Sequence, residues 1–232
     1  MKTLYIKNIP ELPYYVTEAL NQLRISLGFS GENVKTIMIT SSTPNEGKSF
    51  ITMELWKMMA EAGNRVLVID ADMRNSEMKS QWGFELKSGD CGLVHVLSGR
   101  AKIKNVVYET NIENAYIIPV EVLIPNPINL LEGNHFRELM QICRKEFDYV
   151  LIDTPPIGMV ADALTIGPKT DGCLLVIRSA VTPKRAVENS FNLLERSGVP
   201  LLGMVLNRAD MARKGNYYYN QYYNYGEYDG KR

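Results

Sequence analysis

The chain has 232 residues, 45% of them apolar and 22% charged, which fits one globular domain that buries its core without disulfides or structural metal. Lys+Arg and Asp+Glu are 26 each, so the formal net charge is zero. That balance argues against a whole-chain nucleic-acid binder, which is ordinarily basic, and no nucleic-acid partner is expected.

Residues 1–13, with Pro10 and Pro13, read as an extended lead-in. Val16, Leu20, Leu23 and Leu27 then recur at helical spacing, so a helix starts at Tyr14 and ends at Gly28 and Gly31. Lys35–Thr40 is an apolar, β-branched run and therefore a buried strand. Ser42–Ser49 is a loop, Phe50–Ala62 a helix closed by Gly63, and Arg65–Ile69 the next strand. Residues 73–130 are less regular: a short helix at Gly92–Leu97, a strand at Ala115–Pro119, and an extended loop forced by Pro125-Asn126-Pro127. Asn134–Glu146 is helical on Phe136, Leu139, Met140 and Cys143. Tyr149–Ile152 and Cys173–Ile177 are strands, Lys184–Arg196 a helix ended by Gly198 and Pro200, and Leu201–Leu206 a last strand. Short, continuously apolar strands alternating with helices indicate an α/β fold: a mostly parallel sheet with helices on both faces.

Residues 215–232 contain no Val, Ile, Leu, Met or Phe, and cannot bury a core. The expected division is a domain over 1–214 and a flexible, disordered tail over 215–232. Seven of the 13 tyrosines lie in that tail: Tyr217, Tyr218, Tyr219, Tyr222, Tyr223, Tyr225 and Tyr228. Cys91, Cys143 and Cys173 are odd in number and far apart, so they read as reduced core thiols in a cytosol. No apolar run approaches the ~18 residues of a membrane span, and Met1–Lys7 lacks the apolar stretch of a signal peptide. His95 and His135 are isolated and carry no assigned role; Trp56 reads as core, Trp82 as partly exposed, and Arg178, after a strand, as a surface charge or a crevice residue.

Three motifs carry chemistry. Ser42-Thr43-Pro44-Asn45-Glu46-Gly47-Lys48-Ser49 sits between a strand and a helix, where backbone N–H groups and a helix N-terminus converge on phosphate oxygens. Gly47 permits close approach, Lys48 reaches the β/γ-phosphates, and the Ser49 hydroxyl suits Mg²⁺. Ser42 stands where the phosphate-loop pattern has Gly, and Phe50 follows the loop. Second, Val66–Ile69 runs into Asp70-Ala71-Asp72-Met73-Arg74, placing carboxylates 22 and 24 residues after Lys48 at a strand end, where they point into a ligand crevice. Third, Tyr149–Ile152 ends in Asp153, a carboxylate placed to hold Mg²⁺ directly or through water.

On these motifs the chain resembles the cytoplasmic catalytic domain of the bacterial tyrosine kinases of capsule and exopolysaccharide synthesis, above all the free-standing Gram-positive type that works with a separate membrane adaptor. The three motifs are then Walker A, A′ and B on a P-loop, MinD-like sheet. Pro125-Asn126-Pro127 with Leu130-Leu131, and Val205-Leu206-Asn207-Arg208, also fit the pattern. The resemblance implies ATP held by Ser42 through Phe50 and by Asn207 at the adenine. It implies Mg²⁺ held by Ser49, Asp70 and Asp153, and Asp72 preparing the acceptor tyrosine. It further implies a transmembrane adaptor that activates the kinase and recruits it to the inner face of the membrane, a cognate tyrosine phosphatase, and regulation of polysaccharide polymerisation or export. Glu18, Asn21 and Arg24 fall on the family's ExxRxxR motif for ring-like homo-oligomers, where the first and last positions match and Asn21 departs.

Three functions compete at this point: a tyrosine kinase acting on its own tail, a ParA/MinD-type ATPase, and a catalytically weak scaffold whose tail binds partners. The signature lysine of the second class is missing from Ser42-Thr43-Pro44, and the intact Lys48, Ser49, Asp70, Asp72 and Asp153 weigh against the third. A phenol of pKa near 10 needs a carboxylate to take its proton at neutral pH, and Asp72 is the candidate. Eighteen tail residues span at most about 60 Å, enough for transfer in trans. Seven phosphates would add on the order of −10 to −14 charges, expelling the tail and separating subunits.

Overall fold

The computed structural model describes residues 2–209. The tyrosine cluster and the 214/215 boundary therefore lie outside the described residues. The strands are β1 (Lys2–Leu4), β2 (Thr36–Ser41), β3 (Val66–Asp70), β4 (Tyr108–Thr110), β5 (Ala115–Ile118), β6 (Tyr149–Asp153), β7 (Gly172–Arg178) and β8 (Leu201–Asn207). The helices are α1 (Tyr14–Gly28), α2 (Lys48–Glu61), α3 (Met78–Trp82), α4 (Leu93–Leu97), α5 (Ile128–Glu132), α6 (Asn134–Glu146), α7 (Asp162–Ile166) and α8 (Lys184–Ser197). One sheet runs β1-β4-β5-β3-β6-β2-β7-β8. All neighbours are parallel except β4 and β5.

The central strands are apolar on both faces because both are covered. Along β3, Val66 and Val68 pack with Leu20 and Leu27 of α1 and Trp56 of α2. Leu67 and Ile69 point the other way, toward Phe136, Leu139 and Cys143 of α6 and Leu194 of α8. The four positions that mark α6 in the sequence are its buried face. Helix α2 is buried over Ile51–Trp56, Met59 and Ala60. Trp56 is core, its indole N–H donating to the Tyr116 carbonyl at 3.0 Å and the Val66 carbonyl at 3.2 Å.

Two expectations are corrected. Trp82 is 3% exposed, because the lead-in crosses it: the backbone N–H groups of Lys7 and Asn8 donate to its carbonyl. Cys143 and Cys173 are buried, but Cys91 is only half-buried, near Tyr108, whose hydroxyl donates to its carbonyl at 2.8 Å. Helix α2 also begins two residues earlier than its apolar pattern suggests. Gly47, left-handed at φ 89°, turns the chain so that Lys48 is its first residue.

Candidate active site

Strands β3, β6 and β2 are adjacent at the centre of the sheet, so their C-terminal ends bring the three motifs together. Asp70 on β3 pairs in register with Asp153 on β6, which pairs with Ile39 on β2. Beyond β2 the loop turns through two left-handed residues, Asn45 (φ 63°) and Gly47 (φ 89°), into the N-terminus of α2. The first N–H groups of a helix lack intrahelical partners and face an incoming anion.

Lys48 is the hub. Its Nζ lies 3.2 Å from Asp72 Oδ2, 3.4 Å from Asp153 Oδ2 and 3.2 Å from Ser49 Oγ. Ser49 Oγ donates to Asp153 Oδ2 at 2.6 Å, and Thr52 Oγ1 to the other oxygen at 3.3 Å. Asp70 accepts from the Ser76 hydroxyl and, at 3.3 Å, from the Asp72 N–H. Asp72 accepts from the Asn75 N–H at 3.0 Å. Asp70, Asp72 and Asp153 are all buried.

Three carboxylates thus surround one ammonium. Burial opposes the Lys48 charge, but Asp153 and Asp72 outweigh it and hold its pKa above the usual value. Asp70 is pushed up to about 7, by burial first and then by Asp153. Burial also raises Asp153, against the pull of Lys48 and Ser49. The surplus of negative charge beside a serine hydroxyl suits a hard divalent cation. Among the described residues no three acidic, His or Cys side chains form a closed ion cage. Mg²⁺ does not need one, since it keeps several waters and takes one or two carboxylates plus substrate phosphates.

The crevice in front of these groups has a volume of about 1400 Å³. Pro44, Asn45, Gly47, Lys48, Ser49, Phe50, Asp72, Arg74, Arg178 and Asn207 line it, and it continues along Val16, Leu20 and Leu23 of α1. Of the two sequence readings of Arg178, surface charge or crevice residue, the structure bears out the second. Asp70 and Asp153 sit behind Lys48. Ser42 is buried, with no hydrogen-bond partner for its hydroxyl among the described residues. Thr43 and Glu46 turn toward each other rather than into the crevice, through bonds from Thr43 N to Glu46 Oε2 and Thr43 Oγ1 to Glu46 Oε1, both 3.0 Å. Glu18 and Arg24 lie half-buried on α1, where Glu18 accepts from Asn21 at 3.4 Å.

Two partnerships had no local sequence signal. Arg74 makes a two-pronged pair with buried Asp162, both bonds 2.9 Å, and also donates to the Pro125 carbonyl. Thr182, in the loop after β7, donates to Glu46. Each joins segments far apart in the chain, so only the fold reveals it.

Residues 34–177 match the family model described as an AAA domain. Tyrosine-protein kinase CpsD of Streptococcus agalactiae is 37% identical over 215 residues, covering 93% of this chain and 92% of that protein. The solved kinase domain of Escherichia coli tyrosine kinase ETK superposes with a TM-score of 0.76 at 31% identity, covering 85% of this chain and 78% of that one. The septum site-determining protein MinD of Pyrococcus horikoshii, solved with Mg-ADP, gives 0.64 at 25% identity over 78% and 72% of the two chains. With a phosphate loop feeding α2, carboxylates ending β3 and β6, and CpsD matched over 92% of its length, the chain belongs to the bacterial tyrosine-protein kinases, on a P-loop, MinD-like fold.

Proposed function

We propose that the crevice binds Mg-ATP and transfers its γ-phosphoryl group to tyrosines of the C-terminal cluster, Tyr217 to Tyr228, of a neighbouring copy. The observation that carries this reading is the position of Lys48, at a helix N-terminus behind a phosphate loop and shared by Asp72 and Asp153. N–H groups from Gly47 to Ser49 face the phosphates, and Lys48 leaves its carboxylates to meet the β/γ-oxygens. Asp72 Oδ2, released from Lys48, accepts the proton of the incoming phenol. The phenolic oxygen bonds to the γ-phosphorus as the β–γ bridging P–O bond breaks, and ADP leaves. Ser49, Asp70 and Asp153 would hold Mg²⁺, which when bound offsets negative charge on the phosphates. Asn207 would meet the adenine. The crevice exceeds the ~300–1,000 Å³ of a small-molecule pocket, leaving room along α1 for an acceptor segment beside the nucleotide.

The resemblance of the three motifs to the kinases of capsule and exopolysaccharide synthesis supports a role there. Under this reading the kinase assembles through Glu18 and Arg24 of α1, is recruited and activated by a separate membrane adaptor at the inner face of the membrane, and is reset by a tyrosine phosphatase. No helix of the described residues is long and apolar enough to cross a membrane.

Transfer in trans is tested by mixing Lys48→Met protein, tail intact, with active protein whose seven tail tyrosines are replaced by Phe. Tyrosine phosphate on the Lys48→Met copy is the expected result. A mixture that hydrolyses ATP and leaves both copies unmodified would instead favour a MinD-type ATPase, whose fold is shared but whose early loop lysine is replaced here by Ser42-Thr43-Pro44.

A further inference from the structure

Glu46 is a loop residue whose side chain does not face the nucleotide crevice. It is 2% exposed, and no cation among the described residues pairs with it. Its carboxylate accepts instead from three donors: the Thr43 N–H on Oε2, and the hydroxyls of Thr43 and Thr182 on Oε1. Its own carbonyl accepts from Asn207 Nδ2 at 2.8 Å. Glu46 is thus bonded to the loop after β7 and to the last residue of β8, the strands that bring Arg178 and Asn207 to the crevice wall.

The partners of Glu46 are themselves fixed. Thr182 Oγ1 accepts from the Arg178 N–H at 2.9 Å, so its hydroxyl proton is directed to Glu46. The turn that presents Thr182 contains Ala180 at φ 57°, a left-handed conformation costly for a residue with a Cβ, and is closed by Thr182 N–H to the Arg178 carbonyl at 3.0 Å. The Ser179 N–H donates to the Asn207 carbonyl at 2.9 Å and ties the two strand ends together. On the loop side, Glu46 lies between Asn45 and Gly47, the two left-handed residues that shape the phosphate cradle. Such conformations persist where surrounding bonds over-determine them.

We infer that Glu46 and Thr182 form a latch that holds the phosphate loop in its binding conformation, making Thr182 a positioning residue for the triphosphate although it lies at the base side of the crevice. This rests on the reading of the crevice as an ATP site. Thr182→Val keeps shape and removes the donor, leaving a buried carboxylate short of one hydrogen bond. Without the latch the loop must be ordered by the ligand, which weakens binding. Thr182→Ser restores the hydroxyl.

The test measures KM for Mg-ATP and kcat, together with inhibition by inorganic tripolyphosphate and by adenosine, for wild type, Thr182→Val, Thr182→Ser and Glu46→Gln. Thr182→Val and Glu46→Gln should raise KM for ATP and the inhibition constant of tripolyphosphate about tenfold, with kcat within about twofold. Thr182→Ser should restore both values, and adenosine should inhibit all four proteins equally. A loss of kcat at constant KM, with a lowered melting temperature, would mark Thr182 as merely structural and overturn the inference. So would a shift for adenosine equal to that for tripolyphosphate. Failure of the wild type to bind ATP would instead overturn the ATP reading itself.

Discussion

Asp70 and Asp153 stand opposite each other in register at the ends of β3 and β6, both buried, with Lys48 attracted to both. The arrangement places two carboxylates where one ammonium neutralises them incompletely.

The pH dependence of the nucleotide-free protein follows. A folded-state pKa of about 7 for Asp70, against 3.8 for the free side chain, means that folding favours its protonated form. The associated stability is complete below pH 3.8 and is lost as pH rises through about 7. The full swing is at most about 4 kcal/mol, from the size of the shift. Asp153 is raised too and acts in the same direction. Thermal melts of nucleotide-free protein at pH 5 and pH 8 should therefore show Asp70→Asn gaining stability over wild type at the higher pH. Equal differences at both would contradict the buried charge.

Removing the hub acts on stability and catalysis together. Lys48→Met leaves Asp72 and Asp153 without their cation, and breaking a buried pair costs about 3–5 kcal/mol. That loss should shrink toward low pH as the carboxylates protonate, and phosphoryl transfer should fall by about 10²–10³ or more. Denaturant melts and a tyrosine-phosphorylation assay check the two parts.

At Gly47 the backbone has φ 89°, and an added Cβ would lie 2.2 Å from Asn207 Nδ2. Gly47→Ala should abolish nucleotide binding measured by calorimetry. Adding Asn207→Ala removes the clash but leaves the backbone strain and takes Asn207 itself from the adenine side, so at most part of the affinity should return.

Arg74 bridges the segment after β3 to Asp162 at the start of α7, with its fork on both carboxylate oxygens. A lysine cannot reproduce that geometry. Arg74→Lys should lower kcat/KM about tenfold, and Asp162→Ala should cost about 2–4 kcal/mol or more, since it strands a charge at a half-buried site. Steady-state kinetics and chemical denaturation separate the effects.

The strands that build the site were legible because each is a continuous apolar run ending in a loop or a carboxylate, and two-sided burial demands that pattern. Asp70, Asp72, Asp153 and Lys48, which the fold brings together, stand out in the sequence because their neighbours in sequence are their structural context. Strands β1 and β4 and helices α3, α5 and α7 are not legible: each is three to five residues long, too short to show a period, and among helices of that length α4 alone is read, from the apolar run that follows Gly92. The burial of Trp82 is not legible because the cluster it joins includes Leu4 and Ile6 of the lead-in, more than 70 residues away. Glu46 reads as a ligand contact from its place in the loop; its bonds to Thr43 are local, but the one from Thr182 spans 136 residues and has no signal in the sequence.

Transfer of the phosphoryl group to tyrosine rather than water can be followed with ATP labelled at the γ-phosphate. Label is expected in the chain, on the Tyr217–Tyr228 segment, in wild type, and none with Lys48→Met. Label recovered only as inorganic phosphate, with the tyrosines unmodified, would contradict it.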